Sequence, residues 1–180
     1  MTSISTPEIF FQYCPRCGKQ TLRHAEERSV LCTACGFHYF FNVATAVSGI
    51  IRADNGTILL AKRGRNPGKG LWDTPGGFMN PGESAEETLQ REIREETGMA
   101  VTEIQYFTSA PNMYVFENVL YSLADLTFLC RTLDGVGQPQ PQDDEITDLA
   151  YFAVKDIPIH DIAFPSVRKA LELFQSLQQE

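Results

Sequence analysis

A chain of 180 residues with 43% hydrophobic content is long enough to bury one sizeable core and to carry a small appendage. Its formal net charge of −8 argues against a general nucleic-acid binder, which needs a basic face to meet phosphates. No apolar run reaches the length of a membrane-crossing helix, so no membrane partner is expected and the expected location is cytoplasmic.

Residues 1–12 lack the basic-then-apolar pattern and cleavage site of a secretory leader. Next come Cys14-x2-Cys17 and Cys32-x2-Cys35, each pair followed by a glycine, Gly18 or Gly36. Four thiolates so spaced predict a closed, tetrahedral, structural Zn²⁺ site, although the 14 residues between the pairs fall slightly short of the usual window. Disulfides are the competing reading, disfavoured without a secretory leader. Cys130 sits in an apolar strand pattern and reads as a small buried thiol.

Beyond this ribbon, strand-like runs at 43–51 and 57–62 flank Asp54-Asn55-Gly56, the turn chemistry of a β-hairpin. The loop over 61–71 carries Arg63, Arg65 and Lys69, which can offer positive charge to an anionic ligand or form a plain solvated loop. Then comes the turn Thr74-Pro75-Gly76-Gly77, whose glycines let backbone carbonyls approach a metal or phosphate closely.

A helix is predicted over 84–97. Ser84 and Glu87 form a capping-box pair, Leu89 and Ile93 lie on one apolar stripe, and Gly98 stands where a left-handed end is wanted. On this helix Glu92, Glu95 and Glu96 are spaced i, i+3, i+4, which gathers their carboxylates on one side. Like charges that close repel unless protonated or bound to metal, and all-oxygen ligands suit a hard ion such as Mg²⁺ or Mn²⁺. The plainer alternative is a solvated face with ion pairs such as Glu87 with Arg91.

Further strands are predicted at 101–108, 114–123 and 126–131, followed by a Pro/Gln/Gly loop over 135–142. Asp143-Asp144-Glu145-Ile146 precedes a strand at 149–152, and a closing helix is predicted over 167–177. Mixed strands with interspersed helices suit an α+β or α/β sandwich, a sheet covered by helices.

Residues 77–99 read G-x5-E-x7-R-E-I-x-E-E-x-G-M. Nine fixed letters, each used at no more than about 7%, match by accident at less than about 10⁻¹⁰ per starting position. In this stretch the chain resembles the Nudix hydrolases. The resemblance implies an α+β fold, an α/β/α sandwich with a mixed sheet over 41–180, preceded by a zinc ribbon and its tail over 1–40. It also implies hydrolysis of a nucleoside diphosphate linked to another group, with water attacking the pyrophosphate. Carried over by position, Glu92, Glu95 and Glu96 hold the metals, the Gly76 backbone contributes a carbonyl, and Glu83 and Arg91 brace the glutamates. Glu145 matches a later loop glutamate that serves relatives as ligand or general base; an ordinary acidic loop is its alternative.

A ribbon joined to such a domain resembles two branches, one acting on NADH and one on FAD or ADP-ribose. The NADH branch carries Ser-Gln-Pro-Trp-Pro-Phe-Pro where this chain has Thr108-Ser109-Ala110-Pro111-Asn112-Met113-Tyr114, without the tryptophan. Gly70-Leu71-Trp72 and the segment 157–164 look like the FAD/ADP-ribose branch, which is therefore favoured. NADH and nucleoside triphosphates are the alternative substrates; a non-catalytic nucleotide sensor and a nucleic-acid-binding ribbon are readings from other classes. Phe40, Phe41, Tyr114, Phe116 and Phe152 are candidates to stack a base, each with a core role as its alternative. The resemblance further implies a small-molecule nucleotide substrate and a homodimer.

Overall fold

The computed structural model describes residues 6–26, 28–133, 138–142 and 144–178. Residues 135–137 of the expected loop, and Asp143, lie outside the described residues. The chain divides into two compact units.

The first unit comprises Met1–Ala44 and Met113–Ser122. In it β1 (Leu22–Glu26), β2 (Ser29–Cys32) and β3 (His38–Phe40) form an antiparallel sheet in that order. Two matching turns hold the cysteine pairs. The Gly18 N–H donates to Cys14 O at 2.8 Å and the Gly36 N–H to Cys32 O at 2.9 Å, both glycines being left-handed at φ 71° and 72°. The Cys14 N–H reaches Lys19 O and the Cys32 N–H reaches Phe37 O, so the two knuckles repeat one hydrogen-bond pattern.

The second unit comprises Thr45–Asn112 and Leu123–Glu180. The larger sheet, most of whose residues belong to this unit, is built from β4 (Ala44–Arg52), β5 (Ile58–Arg63), β6 (Trp72–Asp73), β7 (Gly76–Phe78), β8 (Val101–Phe116), β9 (Val119–Thr132) and β10 (Ile146–Phe152). The main path runs β10-β5-β4-β9-β8, with β6 paired to β5 and β7 paired to β4. The Asp54-Asn55-Gly56 turn joins β4 to β5, and Asn55 Oδ1 accepts from the Thr57 N–H at 3.0 Å.

Residue parity assigns the faces. Val47 and Ile51 of β4, Leu59 of β5, and Phe128 and Cys130 of β9 pack with Leu89 and Ile93 of α1 (Ala85–Thr97). Ile50, Ile58 and Leu60, each one position away, pack instead with Val167, Leu171 and Phe174 of α2 (Pro165–Leu177). Neighbouring side chains on a strand point to opposite sides, so one helix covers each face of the sheet and the expected sandwich is found. Each fully buried Leu or Ile contributes about 1.5–3 kcal/mol to this core.

One expectation is corrected. The three strands expected at 101–108, 114–123 and 126–131 are two long ones, and residues 114–123 are split by a turn at Glu117-Asn118. Both turn residues have positive φ, 46° and 66°. A two-residue left-handed turn follows the twist of the flanking strands and needs no glycine or proline to mark it. Among the described residues no helix is long and apolar enough to cross a membrane.

Candidate active site

Helix α1 starts where its cap dictates. Ser84 Oγ accepts from the Glu87 N–H at 3.2 Å while Glu87 Oε2 accepts from the Ser84 N–H at 2.8 Å, closing the capping box. The helix ends at Gly98, left-handed at φ 71°, whose N–H returns to Arg94 O. Thr88, Leu89, Ile93 and Thr97 form its buried face. Glu92, Glu95 and Glu96 flank that face.

Arg91 is the hub. Its Nε donates to Glu83 Oε1 at 2.7 Å and its Nη2 to Glu83 Oε2 at 2.9 Å, a two-pronged pair. Its Nη1 donates to Glu92 Oε1 at 2.7 Å and to Glu95 Oε2 at 3.0 Å. Glu83 in turn accepts from the Asn80 N–H and the Thr88 hydroxyl, which ties the loop before the helix to the helix itself. The Arg91 guanidinium holds the Glu83 carboxyl down at about 2.

Glu96 is engaged from the other side. Its Oε2 accepts the Gly76 N–H at 2.9 Å. Glycine is required in this loop: Gly76 sits at φ 153°, where a Cβ would strike Val47 O, and a Cβ on Gly77 would strike the Glu92 carboxylate. The Thr74-Pro75-Gly76-Gly77 turn therefore lies directly on the acidic face of α1. Each of the three glutamates commits one oxygen, and Glu92 Oε2, Glu95 Oε1 and Glu96 Oε1 stay outside the hydrogen bonds of the described residues.

Burial raises the pKa of Glu92, and raises that of Glu96 well above the usual carboxylate range. Neighbouring negative charge adds to both: Glu95 and Glu145 push Glu92 up, and Asp73 and Glu92 push Glu96 up. Crowded, half-desolvated carboxylates with spare oxygens are a donor set suited to a hard divalent cation, which would offset both the burial and the repulsion.

The other residues singled out in the sequence fall into four places. Arg63 turns inward: its Nη1 donates to Asp73 Oδ2 at 3.0 Å, its Nε to Pro67 O at 2.7 Å, and its guanidinium lies 4.8 Å from the centre of the Phe164 ring. Arg65 stays exposed and pairs with Glu145 at 2.7 Å and with Asp144. Phe41 and Tyr114 belong to the first unit, where Phe41 packs edge-on against Phe11 and Tyr39. Phe152 packs edge-on against Trp72, a core role.

Asp73 escaped sequence reasoning. Burial pushes its carboxyl up to about 6 even though Arg63 pulls the other way. Its only signal in the chain is its place immediately before the Thr74-Pro75-Gly76-Gly77 turn.

The cysteines form a second centre within the first unit. The sulfur atoms of Cys14, Cys17, Cys32 and Cys35 all lie within 4.8 Å of one another, the one group this tightly gathered among the described residues, the carboxylate oxygens of the three glutamates being spread more widely. Cys14 Sγ is 3.7 Å from Cys35 Sγ, and Cys17 Sγ is 3.7 Å from Cys32 Sγ. A tetrahedron with metal–sulfur bonds of about 2.3 Å has edges of about 3.8 Å, so the cluster already has the dimensions of a Zn–S₄ site. A hydrogen bond from the Thr21 hydroxyl, 3.1 Å away, is the largest influence bringing the Cys32 thiol down to about 6, toward the thiolate a metal binds. All five cysteines are free of disulfides.

Comparison with known proteins agrees with this architecture. The NUDIX domain family matches residues 43–174, well over half of the chain. A relative named NAD-capped RNA hydrolase NudC from Haemophilus influenzae is 31% identical over 153 residues, 84% of this chain and 54% of that protein. Its namesake from Actinobacillus succinogenes is 34% identical over 145 residues, 77% of this chain and 52% of that protein. The chain thus spans about half the length of the curated relatives it matches. The crystal structure of a NUDIX hydrolase from Nitrosomonas europaea superposes with a TM-score of 0.75 at 26% identity, covering 93% of this chain and 92% of that one. With the acidic helix, the glycine turn lying on it and the helix-covered sheet all present, the chain belongs to the NUDIX domain family.

Proposed function

We propose that this protein is a metal-dependent pyrophosphatase that cleaves a nucleoside diphosphate linked to another moiety. The observation that carries the reading is the set of three free carboxylate oxygens on Glu92, Glu95 and Glu96, held in place by Arg91 and the Gly76 N–H. In this reading the three glutamates, with the Gly76 carbonyl beside them, hold Mg²⁺ or Mn²⁺. A divalent ion there supplies charge neutralisation on the pyrophosphate oxygens and a lowered pKa for bound water.

The chain's own residues do the rest. Glu83 fixes Arg91, and Arg91 fixes the orientation of Glu92 and Glu95. Glu145 raises the pKa of Glu92 through its charge, so it lies within electrostatic reach of the site and is the candidate to take the proton from the attacking water. Arg65, exposed beside Glu145, is the candidate cation to meet a substrate phosphate, and Arg63 is tied to Asp73. In the first unit, Cys14, Cys17, Cys32 and Cys35 hold a structural Zn²⁺, and such thiolates suit a reducing, cytoplasmic setting.

The substrate class favoured is an ADP-containing pyrophosphate: FAD or ADP-ribose from the segments flanking the glutamate helix, and an NAD-type substrate from the names of the relatives. Hydrolysis of FAD, ADP-ribose, NADH, NAD-capped RNA and nucleoside triphosphates, compared by kcat/KM with Mg²⁺ and with Mn²⁺, tests the reading. Cleavage of none of them, or full turnover in excess chelator, overturns it.

A further inference from the structure

On the α2 side of the sheet, residues of β8, β9 and α2 enclose a cavity of about 170 Å³ whose polar lining includes Thr108, Ser109, Asp125, Thr127, Ser166 and Lys169. Asp125 is 8% exposed and Ser166 is 4% exposed. The Ser166 hydroxyl donates to Asp125 Oδ2 at 2.5 Å, while Asp125 Oδ1 is buried without a hydrogen-bond partner. Burial raises this carboxyl's pKa, and the Ser166 and Asn112 side chains draw it back only in part. A buried acceptor left unpaired is costly, and a site that retains one rewards a ligand that donates to it.

The cavity also lies within electrostatic reach of Asp73, the residue before the glycine turn. The Asp125 charge raises the pKa of Asp73, and the Asp73 charge raises that of Glu96. Its size is informative too: a cavity of about 150 Å³ accommodates one six-membered ring, so this partly open one suits a small heterocycle.

We propose that this cavity is the specificity pocket of the enzyme, and that Asp125 Oδ1 accepts a hydrogen bond from the NH₂ group of a heterocyclic base in the substrate. The proposal rests on the pyrophosphatase reading above and identifies the group that selects its substrate. Two heterocycles supply that chemistry, the amino group of adenine and the carboxamide of nicotinamide. Ser166 holds the carboxylate in position by occupying its other oxygen, and Lys169 adds a cation suited to the attached phosphate.

The test is binding by calorimetry to the full-length chain, which is read without turnover. One arm compares AMP with IMP, where an oxygen acceptor replaces the amino donor. The other compares nicotinamide mononucleotide with nicotinic acid mononucleotide. The wild type is expected to prefer the amino-bearing member of one pair by roughly tenfold or more, and the arm affected tells which base enters the pocket. Asp125→Ala is expected to reduce that preference to within about twofold, with Asp125→Leu, which fills the same space without an acceptor, as the second variant should the alanine fail to fold. Equal binding within both pairs, no detectable binding of either, or a preference that survives loss of the carboxylate overturns the proposal. Failure of every pyrophosphate in the turnover panel overturns the hydrolase reading instead, so the two failures are separable.

Discussion

The Gly76 N–H and Glu96 Oε2 meet at 2.9 Å, so the tight turn after β6 and the last turn of α1 share one hydrogen bond across 20 residues of chain. This contact sets the distance between the turn and the acidic face. It also leaves the second oxygen of Glu96 pointing away from the bond it has made.

Glu96→Gln is expected to keep the fold and to lower kcat roughly hundredfold or more, because the amide retains an oxygen for the Gly76 N–H but loses the charge that holds a cation. Excess chelator should abolish activity in the wild type, and Mg²⁺ or Mn²⁺ should restore it. An unchanged rate in Glu96→Gln, measured at saturating Mg²⁺, counts against the assignment.

Gly77→Ala places a methyl group where the Glu92 carboxylate now lies. Circular dichroism should be close to wild type, since the residue is half-buried on a short edge strand. Turnover should fall by about a hundredfold, the scale set by a misplacement of about 1 Å in a reacting group. Wild-type kcat/KM in this variant would show that the position of Glu92 is unimportant.

Asp73 makes stability depend on pH with a definite sign. Its folded-state pKa of about 6 lies above the unfolded value of 3.8, so the folded chain binds the proton more tightly. Stability contributed by the protonated form is full below the unfolded value and is lost as pH rises through about 6. In Asp73→Asn that loss should be absent, so the urea midpoint of the variant relative to wild type should climb between pH 4 and pH 6. Parallel pH profiles for the two proteins would contradict the buried carboxyl.

Glu83 has the opposite sign. Arg91 holds its carboxyl at about 2 in the folded chain against 4.5 unfolded, so its contribution is present above 4.5 and is lost as pH falls through about 2. Removing the guanidinium in Arg91→Ala should move the midpoint of acid unfolding to higher pH, and should lower kcat as Glu92 and Glu95 lose their common anchor. Identical acid-unfolding midpoints would argue against the pair.

The cysteine cluster should retain roughly one zinc per chain through purification, measured by plasma mass spectrometry. Cys32→Ser should lose most of it. Zinc content unaffected by the substitution would place the metal elsewhere.

Much of the candidate site could be read in advance because the helix carries its own instructions. Ser84, Glu87 and Gly98 act within one turn of themselves, so both ends of α1 and the clustering of Glu92, Glu95 and Glu96 follow from spacing. The hairpin at Asp54-Asn55-Gly56 is equally local. The Glu117-Asn118 turn was hidden for the converse reason: an ordinary pair of polar residues takes positive φ inside an otherwise continuous strand pattern.

The chain order of residues determined the acidic helix, the two cysteine knuckles and the alternation that assigns side chains to the two faces of the sheet, since each depends on partners a few positions away. Tertiary structure alone decided that Arg63 turns to Asp73, that one oxygen of each site glutamate stays free, and that Asp125 lines a cavity with an unpaired acceptor. Those outcomes arise from desolvation and close approach between segments far apart in the chain, and neither quantity exists until the sheet and its two helices have come together.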